Sequence, residues 1–167
     1  REPNSTSIFL FPQKALANDQ LQGLIKTADT LPAIAALRAR KPQLISRYDG
    51  ATPDELKPQI RNEAQVLLTN PDMLHYGLLA WHDRHWARFL SNLRYVVVDE
   101  CHEYRGIFGT NVSYLLRRLR ALCKQYGTDP KFIATSATVQ APQEHLERLT
   151  GVPFECIGPA QDGSRQG

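Results

Sequence analysis

The chain has 167 residues, 42% of them hydrophobic and 22% charged, a balance that suits one globular domain with a buried core and excludes disordered and fibrous classes. No stretch reaches the ~20 consecutive apolar residues that span a bilayer and no signal-peptide pattern opens the chain, so no membrane partner is expected and the location reads as cytoplasmic, or nuclear in a eukaryote. The formal charge of +3 permits a polyanionic partner without requiring one, and the three cysteines, Cys101, Cys123 and Cys156, are too scattered for a disulfide framework or a CxxC metal site and read as reduced thiols.

The chain opens at Arg1 and its only methionine is Met73, which reads as a cut or engineered segment of a longer protein. Ser7 to Phe11 form a short apolar run ended by Pro12 and lead into a helical stretch around Ala15 to Lys26, a strand followed by a helix. A second strand is expected at Gln43 to Tyr48, closed by Asp49 and Gly50. Thr52 then reads as the N-cap of a helix, with Pro53 at its first position and Glu55 as the reciprocal partner of a capping box. Pro58 conflicts with that start, because an interior proline removes a donor and crowds the preceding turn, and it moves the helix start toward itself.

Val66 to Thr69 is the third strand, and Asn70, Pro71 and Asp72 turn the chain into a short helix carrying Met73, Leu74, Leu78 and Leu79. Tyr95 to Val98 is apolar without alternation, the mark of a strand covered on both faces. From Thr110 to Tyr126 a helix places Val112, Leu115, Leu116, Leu119, Leu122 and Cys123 on one face, with Gly127 as its stop. Arg117, Arg118, Arg120 and Lys124 lie mostly opposite and read as a solvated helix surface. Lys131 to Ala134 make a fifth strand, Ser136 to Thr138 its terminal turn, and Pro142 to Leu149 a last amphipathic helix, before a Gly- and Ser-rich tail over residues 158–167. Strands alternating with helices predict an α/β domain, a parallel sheet with helices on both faces whose ligand site lies beyond the carboxyl ends of the strands.

The polar clusters fall at those ends. Asp99 and Glu100, followed by Cys101 and His102, put two adjacent carboxylates at the tip of the fourth strand. Nucleoside triphosphatases hold Mg²⁺ with an Asp so placed, and a neighbouring Glu can polarise the attacking water. Hydroxyls of Thr135, Ser136 and Thr138 end the next strand, about one βαβ unit downstream, and can reach across to the acidic pair. Against these, His82 and His85 have metal-like spacing but no accompanying ligand set, and read as packing or surface residues.

Asp99-Glu100-Cys101-His102 resembles motif II of the superfamily 2 DExH/DEAD-box helicases, and Ser136-Ala137-Thr138 resembles motif III. Pro12-Gln13-Lys14-Ala15-Leu16 is similar to motif Ia, and Thr69-Asn70-Pro71-Asp72-Met73-Leu74 to the strand-binding motif after it, all in the family's order. Tyr104-Arg105-Gly106-Ile107-Phe108-Gly109-Thr110-Asn111-Val112, Leu116-Arg117-Arg118-Leu119 and Tyr48-Asp49-Gly50 are similar to the YprA-like group of DNA-repair helicases. Members of that group are ATP-dependent DNA helicases with a cysteine-rich metal-binding C-terminal region, which this chain does not contain.

The resemblance implies a RecA-like P-loop NTPase domain lacking its phosphate-loop strand: residues 1–157 as a partial first helicase domain, and 158–167 as a linker toward a second RecA-like domain. It implies ATP and Mg²⁺ as cofactors, with Asp99 holding the ion through water, Glu100 as the base, and His102 linking to Ser136 and Thr138 to couple nucleotide state to strand movement. For DNA it implies phosphate contacts from Pro12, Lys14, Ala15, Gly50, Thr69, Asn70 and Asp72, with Asp72 able to cap its helix. Cys101 stands where the group more usually has Ala, at a position whose side chain does no chemistry. The chain has no GxxxxGK[ST], so the parent is expected to be an ATPase and this segment alone inactive. Two other readings stay open: a non-catalytic nucleic-acid-binding module on a helicase-like scaffold, and an RNA helicase.

Overall fold

The computed structural model describes residues 4–136 and 142–157. Strands β1 (Thr6–Leu10), β2 (Ile45–Arg47), β3 (Val66–Thr69), β4 (Leu93–Val98) and β5 (Lys131–Ala134) form one parallel sheet in the order β2-β3-β1-β4-β5. Leu10 pairs with Thr69 on one side and Val98 on the other, and Val98 with Ala134, so neighbouring strands finish level. The ladder continues past them: Asp99 N donates to Leu10 O at 2.9 Å, Thr135 N to Val98 O at 3.0 Å and Cys101 N to Thr135 O at 2.9 Å.

Alternation along the strands divides the core in two. Ile8, Leu10, Leu67, Val96 and Val98 point to one face, where α3 (Lys57–Glu63), the segment from α4 (Pro71–Met73) to α5 (Ala87–Leu90), α6 (Gly106–Gln125) and α7 (Pro142–Thr150) cover them. Phe9, Val66 and Leu68 point to the other, beneath α1 (Lys14–Asp29) and α2 (Pro32–Arg40). The expected α/β sheet with helices on both faces is present. Cover is incomplete over β4 and β5: α1 packs on β2 and β3, so Tyr95 and Ile133, on that same face, stay exposed instead of buried.

Several local expectations are corrected. Thr52 caps no helix: its hydroxyl accepts from Asp49 N at 2.9 Å and closes the turn after β2, so α3 starts at Lys57 with Pro58 in its first turn, where a missing N–H costs nothing. The cap of α4 is Asn70, whose Oδ1 accepts from Met73 N at 2.9 Å, and Asp72 lies in the first turn. Beyond Met73 the chain widens into two π-helical turns, Leu74–Leu78 and His82–Trp86. Buried Trp86 donates its indole N–H to Gly77 O at 2.9 Å and meets the Tyr48 and Phe89 rings edge-on.

Helix α6 begins a turn before the expected Thr110. Gly106 opens it at φ +58°, and Gly109 fits because a Cβ there would collide with the Tyr104 carbonyl. The arginines of α6 are not merely solvated. Arg117 donates to Arg148 O at 3.1 Å and Arg120 to Gly151 O at 3.0 Å, satisfying carbonyls at the end of α7, while Arg118 reaches Leu79 O at 3.3 Å. Among the described residues no helix is long and apolar enough to cross a membrane.

Candidate active site

After buried Val98 the chain leaves the sheet through Glu100, whose φ of 48° makes it the one non-glycine residue with positive φ among the described residues. Such a conformation costs ~1–3 kcal/mol and persists only where its surroundings enforce it. Here the backbone of the next residue is held on both sides: Cys101 N donates to Thr135 O, and Cys101 O accepts from His145 Nε2 at 2.8 Å. A carbonyl can only accept, so His145 carries its proton on Nε2. The reversal turns residues 101–103 into a single 3₁₀ turn and gathers the polar side chains over the tips of β4 and β5.

Asp99 Oδ1 accepts a hydrogen bond from the Thr135 hydroxyl. His102 Nδ1 lies 3.1 Å from Glu100 Oε2 and 3.5 Å from Ser136 Oγ, and its Nε2 lies 3.4 Å from Glu103 Oε1. One imidazole thus spans from the carboxylate at the end of β4 to the hydroxyl at the end of β5. Asp99, Glu100, His102 and Ser136 are brought together; Thr138 lies outside the described residues. Burial raises the Cys101 thiol and the Tyr104 phenol, the latter well above the usual range with the Asp99 charge acting in the same direction. Adjacent hard carboxylate oxygens suit Mg²⁺, and among the described residues no group of three or more His, Cys, Asp or Glu could hold a metal ion by itself.

The same rim carries the other candidates. Pro12 follows β1, and Lys14 and Ala15 open α1, whose N-cap Gln13 makes no side-chain cap bond; the side chains of Lys14 and Ala15 lie outside the described part. Gly50 is exposed in the turn after β2, where buried Asp49 accepts from Ala51 N at 2.8 Å and pairs with Arg47 Nε at 3.2 Å. Thr69 is buried and its hydroxyl donates to Tyr48 O at 2.8 Å, so that side chain ties the tips of β2 and β3 together. Asn70 is the α4 cap and Asp72 is exposed beside it. Of the two tryptophan-flanked histidines, His82 Nδ1 meets the Tyr126 hydroxyl at 2.9 Å and His85 lies against the Trp81 ring. The expected reach of the Thr135 hydroxyl to the acidic pair is present at Asp99, whereas His145 as the partner of Cys101 is assigned by geometry alone.

The family description "DEAD/DEAH box helicase" matches residues 1–146. The chain is 38% identical over 157 residues to the ATP-dependent helicase YprA of Bacillus subtilis, covering 94% of this chain and 20% of that protein. It is 37% identical over 169 residues to the ATP-dependent helicase HRQ1 of Saccharomyces cerevisiae, covering 100% of this chain and 15% of that protein. The crystal structure of the DUF1998 helicase MrfA bound to DNA superposes with a TM-score of 0.84 at 39% identity, over 92% of this chain and 21% of that one, and the structure of MrfA bound to DNA and AMPPNP with 0.81 at 39%, over 92% and 20%. The chain therefore spans about a fifth or less of the length of these relatives.

Proposed function

Because the chain belongs to the DEAD/DEAH box helicase family, we propose that it is part of the first RecA-like domain of an ATP-dependent DNA helicase acting in DNA repair, with ATP and Mg²⁺ as cofactors. The observation that carries this reading is the bridge from Glu100 through His102 to Ser136, with Asp99 held by Thr135, across the ends of two adjacent parallel strands. Relatives named as ATP-dependent helicases, and a like-folded helicase bound to DNA and AMPPNP, support it.

In the motor, Thr135 fixes one oxygen of Asp99 and so orients the carboxylate that would hold Mg²⁺ through its water shell. Mg²⁺ held there would supply charge neutralisation at the phosphates. Glu100, presented by its left-handed backbone, orients and deprotonates the attacking water. Departure of phosphate changes the charge that Glu100 and His102 face, and His102 passes the change to Ser136 and the segment beyond β5. Residues along the ends of β1, β2 and β3, from Pro12, Lys14 and Ala15 through Gly50 to Thr69, Asn70 and Asp72, border the path of the DNA backbone, chiefly through the main-chain amides near Pro12 and those of the other residues, which read phosphate and not base. Residues 158–167 would lead to the second RecA-like domain, which supplies arginines to the transition state.

The test uses the full-length parent. Glu100→Gln should lower ATP turnover by about 10²- to 10⁴-fold while a fluorescent ATP analogue still binds, since the substitution removes a base and keeps the shape. Unchanged turnover would remove Glu100 from this role, and a parent that hydrolyses no ATP at all would favour a binding module without a motor. Strand displacement on matched DNA and RNA duplexes decides the substrate.

A further inference from the structure

The N-terminal half of α6 carries a surface that the motor chemistry leaves unused. Ile107, Asn111, Tyr114 and Arg118 follow one another at helical spacing and divide two hollows. The smaller, about 400 Å³, is lined by three exposed aromatic rings, Tyr76 at 69%, Phe108 at 43% and Tyr114 at 71% exposure, together with Pro71, Asp72 and Arg118. The larger, about 910 Å³, is lined by Arg105, Arg117 and Arg148 with the polar side chains of Thr110 and Ser113. The two hollows are lined by four arginines and by one carboxylate, Asp72; Glu144 stands nearby in an exposed pair with Arg148 at 3.4 Å.

Large aromatic rings turned to solvent cost free energy unless something covers them. A protein surface would be expected to answer four arginines with carboxylates, whereas single-stranded nucleic acid answers both features at once, offering phosphates to the guanidinium groups and flat bases to the rings. The rings are also braced. Phe108 stacks on buried Tyr104 at 5.6 Å, and the Tyr104 hydroxyl donates to Leu10 O at 3.4 Å, at the tip of the strand that leads to Pro12. Tyr76 packs edge-on against His75, whose Nδ1 lies 3.3 Å from Arg118 Nη1. Pro71 and Asp72, at the end of the candidate phosphate path, form one wall of the aromatic hollow.

We infer that Tyr76, Phe108 and Tyr114 form a base-stacking platform for single-stranded DNA leaving the Asn70–Asp72 turn, with the arginine hollow beside it taking the phosphates. This rests on the helicase reading above and extends it: the turn contacts only backbone, and the platform holds bases, so that the strand cannot slide while the domains move. Because rings accept any base, the platform adds grip without sequence preference.

The experiment measures binding of the full-length parent, without ATP, to a fluorescein-labelled oligothymidylate and to an abasic strand of equal length, by anisotropy at several salt concentrations. Tyr76→Ala and Tyr114→Ala are each expected to weaken oligothymidylate binding about tenfold, with Tyr114→Trp restoring it, while the abasic strand, having no base to stack, shows no such loss. Arg105→Gln should weaken both strands and lower the logarithmic salt slope by about one. Equal losses on the two strands, or none, overturn the platform. So does a fall in DNA-independent ATP hydrolysis with strand affinity intact, which would mark the patch as covered by another part of the parent. A parent that neither hydrolyses ATP nor unwinds DNA sinks the motor reading instead, and since binding is read without ATP the two failures stay distinct.

Discussion

Cys101 and Cys123 are buried and Cys156 is exposed, and the attacking species in thiol chemistry is the thiolate. Burial raises the Cys101 thiol and pushes that of Cys123 up to about 11, so both combine poor access with a scarce reactive form. An aromatic disulfide reagent at neutral pH should therefore label Cys156 alone in the folded chain, and all three in urea; rapid labelling of Cys101 in native protein would mean that the turn at Glu100 opens readily. The same shift has a consequence for stability. The folded value for Cys123 lies above the ordinary 9.0, so the folded state holds the proton more tightly, and the contribution is complete below about pH 9 and lost as pH rises toward about 11. Tyr104, also raised by burial, acts in the same sense at still higher pH. A urea midpoint that falls over this window, with a shallower fall in Cys123→Ala, is the expected result, and a flat profile would contradict it.

Two helical glycines should respond oppositely to alanine. Gly23, in α1, has nothing within 4 Å of an added Cβ, so Gly23→Ala should stabilise by about 0.5–1 kcal/mol through the lower entropy of the unfolded chain. Gly109, in α6, presses on the Tyr104 carbonyl, and Gly109→Ala should destabilise by about 1–3 kcal/mol although alanine is the better helix former. Thermal melts separate the two, since each kcal/mol shifts the midpoint by about 2–4 °C at this size. Contacts of this kind mark where the fold could be read in advance. β3 and β5 are legible because short apolar runs between turn residues have few other uses, and the acidic pair is legible because His102 follows it and a cluster of hydroxyls ends the next strand about one βαβ unit downstream. Helix α2 goes unread: Pro32 begins it, but no residue of it is buried and no apolar stripe announces it. The turns over residues 74–86 depend on Trp86 reaching Gly77 O, a pairing that local propensity does not contain. The Thr135 hydroxyl is legible from the spacing of one βαβ unit, whereas His145 finds Cys101 O 44 residues away in sequence, so the imidazole that fixes Cys101 emerges only when α7 is in place.

At the scale of the molecule, the sheet collects the candidate residues of the proposed motor along one rim. The end of β4 brings the acid pair, the end of β5 the hydroxyls, and the ends of β1, β2 and β3 the candidate phosphate path, while the chain contains no GxxxxGK[ST] to cradle a nucleotide. Positioning and charge stabilisation are nearly all of phosphoryl-transfer catalysis, so a base without a cradle has nothing held in line to act on. In phosphoryl-transfer motors the absence of an arginine finger alone removes about 10³ to 10⁵ in rate. The purified chain should therefore release phosphate from ATP no faster than buffer does, and Glu100→Gln should make no difference in it, in contrast to the large loss expected in the full-length parent. Circular dichroism with a cooperative urea transition shows that the chain tested is folded, and salt-dependent binding of oligothymidylate shows that its rim is intact. Hydrolysis by the isolated chain that disappeared in Glu100→Gln would mean that the nucleotide is gripped by residues other than a glycine-rich loop, and the division of labour between this chain and the rest of its parent would have to be redrawn.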